Sequence, residues 1–283
     1  MSGVANFVSG LRFPEAPRWH QDALWFVDYF QNAVFRADAA GKLTRIAEIA
    51  GTPGGLGFLP DGTPLVVSQR EFMLYAIRPD GTLARHADLS TYARGAANEL
   101  LVDHQGRAYV GHHGFDFFGK AAPQPSSLIL VDEAGKVEEA ADGLVFPNGT
   151  ALTADGRTLI VAESFANRLT AFDVADDGRL SRKREWAALG DHTPDGICLD
   201  ESGAVWLGSP VTGLFVRVAE GGMVLDTIEA GSGRWAVACA LGGPDARTLY
   251  CLSAETTPET MPQGRSKGFI DTVRVEAAGA GLP

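Results

Sequence analysis

Six stretches of this chain share one plan: an apolar strand, a short polar turn, then a second apolar strand. They are EAPRWHQDALWFVD from Glu15, GGLGFLPDGTPLVVS from Gly54, NELLVDHQGRAYVG from Asn98, NGTALTADGRTLIVAES from Asn148, DGICLDESGAVWLGS from Asp195 and ACALGGPDARTLYCLS from Ala238. The turns fall near Asp22, Asp61, Gln105, Asp155, Ser202 and Asp245, at spacings of 39, 44, 50, 47 and 43 residues. A period in the forties with paired strands points to a β-propeller, one four-stranded blade per repeat. A second hairpin follows the first in five units, as in AVFRADAAGKLTRIAEI and LILVDEAGKVEEAADG. The sixth unit has only DTVRVEAAG and is one strand short. The N-terminal ANFVSGL can supply that strand and close the ring, which also removes exposed sheet edges. The expected fold is an all-β, six-bladed β-propeller spanning residues 1–283 as one domain, without amphipathic helices.

Composition narrows the partners. A formal net charge of −11 argues against nucleic acid, which needs clustered Lys and Arg, and against an anionic membrane surface. No run of eighteen apolar residues occurs, and MSGVANFVSGLRFPEAP lacks the basic and apolar regions of a secretory signal. The three cysteines, Cys198, Cys239 and Cys251, are too few and too scattered for a disulfide framework or a zinc site and read as reduced core thiols. A cytoplasmic protein, monomeric or a small homo-oligomer, is expected.

Seven residues before each turn stand Glu15, Gly54, Asn98, Asn148, Asp195 and Ala238. Equivalent positions of successive blades surround the central axis at similar height, so four oxygen-bearing side chains should converge at one mouth of the channel. This phase also separates two identical tripeptides. PDG at 60–62 is a turn, whereas PDG at 194–196 precedes its unit's turn at Ser202-Gly203. Two carboxylates and two carboxamides repel and desolvate one another unless a cation joins them. All the donors are oxygens, which suits calcium, magnesium or manganese; zinc and iron(II) stay in the set with water completing their shells.

The strings FPEAPRW, LWFVD, FPNG, DGRTLIVAES and PDGICLD resemble the senescence-marker-protein/gluconolactonase/luciferin-regenerating (regucalcin-like) family, over essentially the whole chain. The resemblance implies a six-bladed propeller with one divalent metal in the channel. It implies Glu15, Asn148 and Asp195 as metal ligands, Asp195 as general base, and Asn98 as a contact to substrate or metal-bound water. Where sugar-acid lactonases of the family often carry an Arg, this chain has Ala96. The loop HHGFDFFGKAAPQPSS is aromatic, and His113 and Phe115 are expected to contact substrate.

The expected activity is metal-dependent hydrolysis of a small-molecule lactone, either a sugar lactone or a more apolar one. A phosphotriesterase-like hydrolase on the same cradle is the second enzyme reading, and a non-catalytic metal- or ligand-binding propeller the third. His112, His113 and His192 are the other candidate bases. No Gly-x-Ser-x-Gly elbow is present, which argues against a serine hydrolase.

Overall fold

The computed structural model describes residues 3–280 and folds each repeat into antiparallel strands. The chain begins with β1 (Ala5–Leu11). The first blade is β2 (Pro14–His20), β3 (Ala23–Asp28), β4 (Ala33–Ala37) and β5 (Leu43–Glu48). The second is β6 (Pro53–Phe58), β7 (Pro64–Ser68), β8 (Met73–Ile77) and β9 (Leu83–Asp88). The third is β10 (Ala97–Val102), β11 (Ala108–His112), β12 (Ser126–Val131) and β13 (Val137–Leu144). The fourth is β14 (Pro147–Leu152), β15 (Thr158–Glu163), β16 (Arg168–Val174) and β17 (Leu180–Ala188). The fifth is β18 (Ile197–Leu199), β19 (Val205–Ser209), β20 (Leu214–Val218) and β21 (Val224–Glu229). The sixth is β22 (Arg234–Gly242), β23 (Thr248–Glu255) and β24 (Lys267–Arg274), completed by β1, which pairs with β24. The ring closes through the N-terminal strand, as expected. The helical content among the described residues is two single-turn 3₁₀ helices, Ser164–Ala166 and Met261–Gln263, and no helix there is long and apolar enough to cross a membrane.

Strands β2, β6, β10, β14, β18 and β22 touch one another in succession and line the channel. The middle strands read as continuous apolar runs because both faces are covered, each by a neighbouring blade. In β12, Ile129 and Val131 enter the core shared with the second blade, and Leu128 and Leu130 the core shared with the fourth. Six apolar clusters result, one at each blade-to-blade junction. Fully burying such a side chain contributes roughly 1.5–3 kcal/mol. The outermost strands have one free face; β21 is exposed at five of its six positions.

The two PDG tripeptides differ as the phase predicts. Asp61 caps its turn by accepting a hydrogen bond from the Thr63 amide at 2.9 Å, with Gly62 at φ +87°. Asp195 and Gly196 instead knit inner strands together: their amides donate to Gly208 O and Val237 O, both at 2.9 Å. Gly149 has a similar task. Its amide donates to Asp195 O at 3.0 Å, and a Cβ there would lie 2.5 Å from both Asp195 O and Ile197 N. Backbone cannot yield as a flexible side chain can. We therefore expect Gly149→Ala to lose about 1–3 kcal/mol, the usual range for overpacking. Thermal unfolding would show it, and an unchanged midpoint would mean the two strands are free to separate.

Candidate active site

Five of the six inner strands carry a register break at the same end: between Glu15 and Arg18, Pro53 and Leu56, Ala97 and Leu100, Pro147 and Thr150, and Ala236 and Ala238. A bulge sets two residues against one and suspends strict alternation, so adjacent side chains can both turn toward the axis. At this end the channel widens into a cavity of about 620 Å³, with Glu15, Asn98, Glu99, Asn148 and Asp195 in its wall.

The in-phase oxygen donors thus share one cavity, in positions slightly different from those expected. Glu15, Asn98 and Asn148 are the second residues of β2, β10 and β14 rather than residues ahead of them. Asp195 alone precedes its strand, because β18 starts at Ile197. Gly54 also lines the cavity, whereas Ala238 packs in mid-strand beside Gly196.

A second ring was not anticipated. The residues directly after β3, β7, β11, β15 and β19 are Tyr29, Gln69, His113, Ser164 and Pro210, and all five face the cavity. The residues just before them, Asp28, Ser68, His112, Glu163 and Ser209, are buried polar groups that fasten the mouth loops. Asp28 accepts from the Arg12, Phe13 and Gln31 amides, and Glu163 accepts from the Val145 amide at 2.7 Å and from Arg168 and Thr170. His112 is held by the hydroxyls of Ser126 and Ser127, both at 3.0 Å. Ser209 Oγ accepts from the Thr193 amide at 3.1 Å. The same phase argument, applied to the end of the second strand instead of the start of the first, finds this ring.

At the base of the cavity the polar groups bond to one another. Gln69 Nε2 donates to Asn98 Oδ1 at 3.3 Å, and Asn98 Nδ2 to Asn148 Oδ1 at 3.3 Å. Asn148 Nδ2 donates to Ser164 Oγ at 3.3 Å, and Ser164 in turn donates to Pro194 O at 2.7 Å, which fixes the segment leading into Asp195. Glu99, adjacent to Asn98, pairs at 3.2 Å with Arg18, whose guanidinium also donates to Leu100 O at 2.6 Å. Arg18 borders a smaller cavity of about 260 Å³ at the opposite mouth. The Arg18–Glu99 pair therefore stands between the two cavities.

Glu15 and Asp195 keep some solvent contact through the mouth but lie deep among protein atoms. Burial raises the pKa of both. The charges of Asp195 and Glu99 raise Glu15 further. Glu99 also pushes Asp195 up, against a hydrogen bond from Asn148, and its pKa comes to about 8. Neither carboxylate has a salt bridge among the described residues. No cluster of three His, Cys, Asp or Glu suited to a metal occurs there either. The candidate set is instead two carboxylates with carboxamide oxygen, and each amide oxygen has two lone pairs, one free beyond its hydrogen bond. Like charges held together without a cation of the protein's own fit a site for a hard divalent ion.

The other expected residues divide. His113 is in the cavity wall, stacked on Phe146 with ring centroids 4.4 Å apart, and burial, then the neighbouring His112, lowers its pKa to about 4. Phe115 is one layer back, packed behind Phe117, Phe146 and Phe165. His192 is bonded to Thr212 Oγ1 at 3.1 Å, outside the wall, and His112 behind it. The cysteines are free thiols, with Cys198 and Cys239 3.7 Å apart in the far half of the channel.

Known proteins share this architecture. A luciferin-regenerating enzyme superimposes with a TM-score of 0.83 at 18% identity, covering 99% of both chains. A calcium-binding protein, regucalcin, of Agrobacterium tumefaciens superimposes with a TM-score of 0.80 at 19% identity, covering 98% of this chain and 95% of its own. In sequence, a 6-deoxy-6-sulfogluconolactonase of Pseudomonas putida is 24% identical over 278 residues, 95% of this chain and 93% of that protein. Residues 13–255, from Phe13 at the cavity wall through the end of β23, match the SMP-30/Gluconolactonase/LRE-like region, and the chain belongs to that family.

Proposed function

We propose that the protein is a lactonase that hydrolyses a cyclic ester with the help of one divalent cation held by Glu15, Asn148 and Asp195. The observation that carries this reading is the pair of like-charged carboxylates, Glu15 and Asp195, set with Asn148 at the polar base of a cavity whose mouth is aromatic. Family membership and the lactonase activity named for the Pseudomonas putida relative support it, and the calcium-binding regucalcin supports the cation. A bound divalent cation would supply Lewis acidity at the carbonyl oxygen, where negative charge develops.

The chain's own residues do the rest. Asp195 takes a proton from the attacking water, its carboxyl group set at the base of the cavity by the bonds that fix Pro194 and Gly196 on either side. Asn98 and Ser164 hold Asn148 by its two ends and so fix the direction of its carbonyl. The aromatic mouth keeps bulk water from the ester.

Two measurements test this. Hydrolysis of dihydrocoumarin and glucono-1,5-lactone should disappear on chelation and return with calcium, zinc, manganese, magnesium or iron(II); turnover untouched by chelation would reject the cation. Calorimetric titration should also find affinity rising with pH. Below about pH 8 Asp195 holds a proton that the cation must displace. Each displaced proton makes affinity fall about tenfold for each unit the pH is lowered, and Glu15, whose pKa burial and the charges of Asp195 and Glu99 also raise, adds a second. A flat profile between pH 6 and 8 would mean the ligands are already ionised.

A further inference from the structure

The wall above the carboxylates is built from side chains that offer a substrate little but apolar surface. Phe13 and Tyr29 come from the first blade, Phe117 from the third, Phe146 and Phe165 from the fourth and Trp235 from the sixth. Phe146 and Phe165 stack with centroids 4.5 Å apart, which makes a flat face on one side. Three of the large apolar residues that remain exposed lie in this same wall: Phe117 at 39%, Phe165 at 46% and Val211 at 74%. Exposed apolar groups gathered at one opening, rather than scattered, mark a contact surface for a ligand.

Charge points the same way. Among the described residues no Lys or Arg lines the cavity, and its charged groups are Glu15, Glu99 and Asp195. Arg18, the cation nearest the base, is committed to Glu99 and to backbone oxygens. At the rim, Arg70 is exposed and engages the Tyr29 hydroxyl. An anionic substituent that passed Arg70 at the rim would find three carboxylates in the wall and no Lys or Arg there. The neutral polar groups spend most of their donors on one another: Gln69, Asn98, Asn148 and Ser164 form one chain of hydrogen bonds, and Thr193 Oγ1 donates to Asn167 Oδ1 at 3.1 Å, so a substrate meets acceptor lone pairs but few free donors. A hydroxyl buried without a partner weakens binding by roughly tenfold or more. A polyol has several to place.

Resting on the lactonase reading, we propose that the substrate is an uncharged lactone with an aryl or alkyl body, bound by stacking and apolar contact, and not a polyhydroxylated or anionic sugar lactone. In the reaction the oxygen of water bonds to the carbonyl carbon, and the ring C–O bond breaks. The ring oxygen takes up a proton to become a hydroxyl, and the acid formed ionises.

The test compares dihydrocoumarin with glucono-1,5-lactone on the calcium-loaded protein, together with their non-hydrolysable lactams, dihydroquinolinone and gluconolactam, by calorimetry. We expect kcat/KM for dihydrocoumarin to exceed that for gluconolactone by about 100-fold or more, and only dihydroquinolinone to bind. Phe165→Ala and Phe117→Ala remove half-exposed rings at the mouth, outside the blade-to-blade cores, and the unfolding midpoint of each variant checks that the fold is kept. Each should raise KM for dihydrocoumarin about tenfold and change gluconolactone less than twofold. Preference for gluconolactone, tighter binding of gluconolactam, or equal effects of both variants on the two lactones would overturn the inference. If neither lactone is opened, the lactams still decide: binding of dihydroquinolinone alone upholds the apolar ligand while the lactonase reading fails.

Discussion

Asp195→Asn should turn over lactone roughly 10²–10⁴-fold more slowly than the wild type even at saturating cation, the usual worth of a general base. That is about 3–5 kcal/mol of transition-state stabilisation. The substitution keeps the shape of the side chain and one carbonyl oxygen. The backbone around it is fixed independently, by the Asp195 amide to Gly208 O, the Gly149 amide to Asp195 O and the Ser164 hydroxyl to Pro194 O. The carboxamide should therefore occupy the place of the carboxylate. Two properties change: the negative charge and the ability to accept a proton. Loss of charge weakens cation binding and is repaired by adding cation. Loss of the base is not. Turnover measured against cation concentration for both proteins separates the roles, because a pure ligand gives full recovery at high cation. Full recovery would remove Asp195 as the base. His192 would not replace it, being outside the cavity wall and bonded to Thr212.

The sequence showed the ring because each blade repeats the same problem: an inner strand, a turn and a second strand covered on both faces. It also showed the missing strand of the sixth unit, since a propeller leaves an edge unless another segment fills it. Counting back from the turns brought Glu15, Asn98, Asn148 and Asp195 to one cavity. Glu99 and Arg18 escaped this reading for a physical reason. Strict alternation sends the neighbour of an axis-facing residue into a blade junction, so Glu99 beside Asn98 reads as pointing away. The register break between Ala97 and Leu100 removes that alternation, as the break between Glu15 and Arg18 does in β2. A bulge has no sure mark in the residues themselves. The long loop from His113 to Pro125 posed a different difficulty. It has no period, so nothing in the order of its aromatics separates Phe117, which faces the cavity, from Phe115, which supports it. Ser164 and Gln69 were legible in principle, each directly after a second strand, but only with the blade ends in register.

The Arg18–Glu99 pair leads to the second large effect. Both side chains are nearly excluded from solvent, at 9% and 7% exposure. Removing one partner of such a pair leaves an uncompensated charge and typically costs about 3–5 kcal/mol. Arg18→Met should therefore lower the unfolding midpoint by roughly 6–20 °C. The penalty should depend on pH in a stated direction. Without the guanidinium, no cation offsets the negative charge beside Glu15 and Asp195, whose pKa values burial and neighbouring carboxylates already raise, so both should rise further. A carboxylate whose folded pKa is raised holds its proton in the folded protein and loses it in the unfolded chain. Its contribution is thus favourable at low pH and vanishes as pH climbs through the folded value. The variant should lose least near pH 5 and most near pH 8. Glu99→Gln in the same chain removes the stranded charge and should recover most of the loss, because replacing both partners is far less costly than removing one. A divalent cation should raise the midpoint of Arg18→Met more than that of the wild type, since it restores positive charge beside the same three carboxylates. A variant within 2 °C of the wild type at pH 8 would show that water, rather than Arg18, balances Glu99 in the channel.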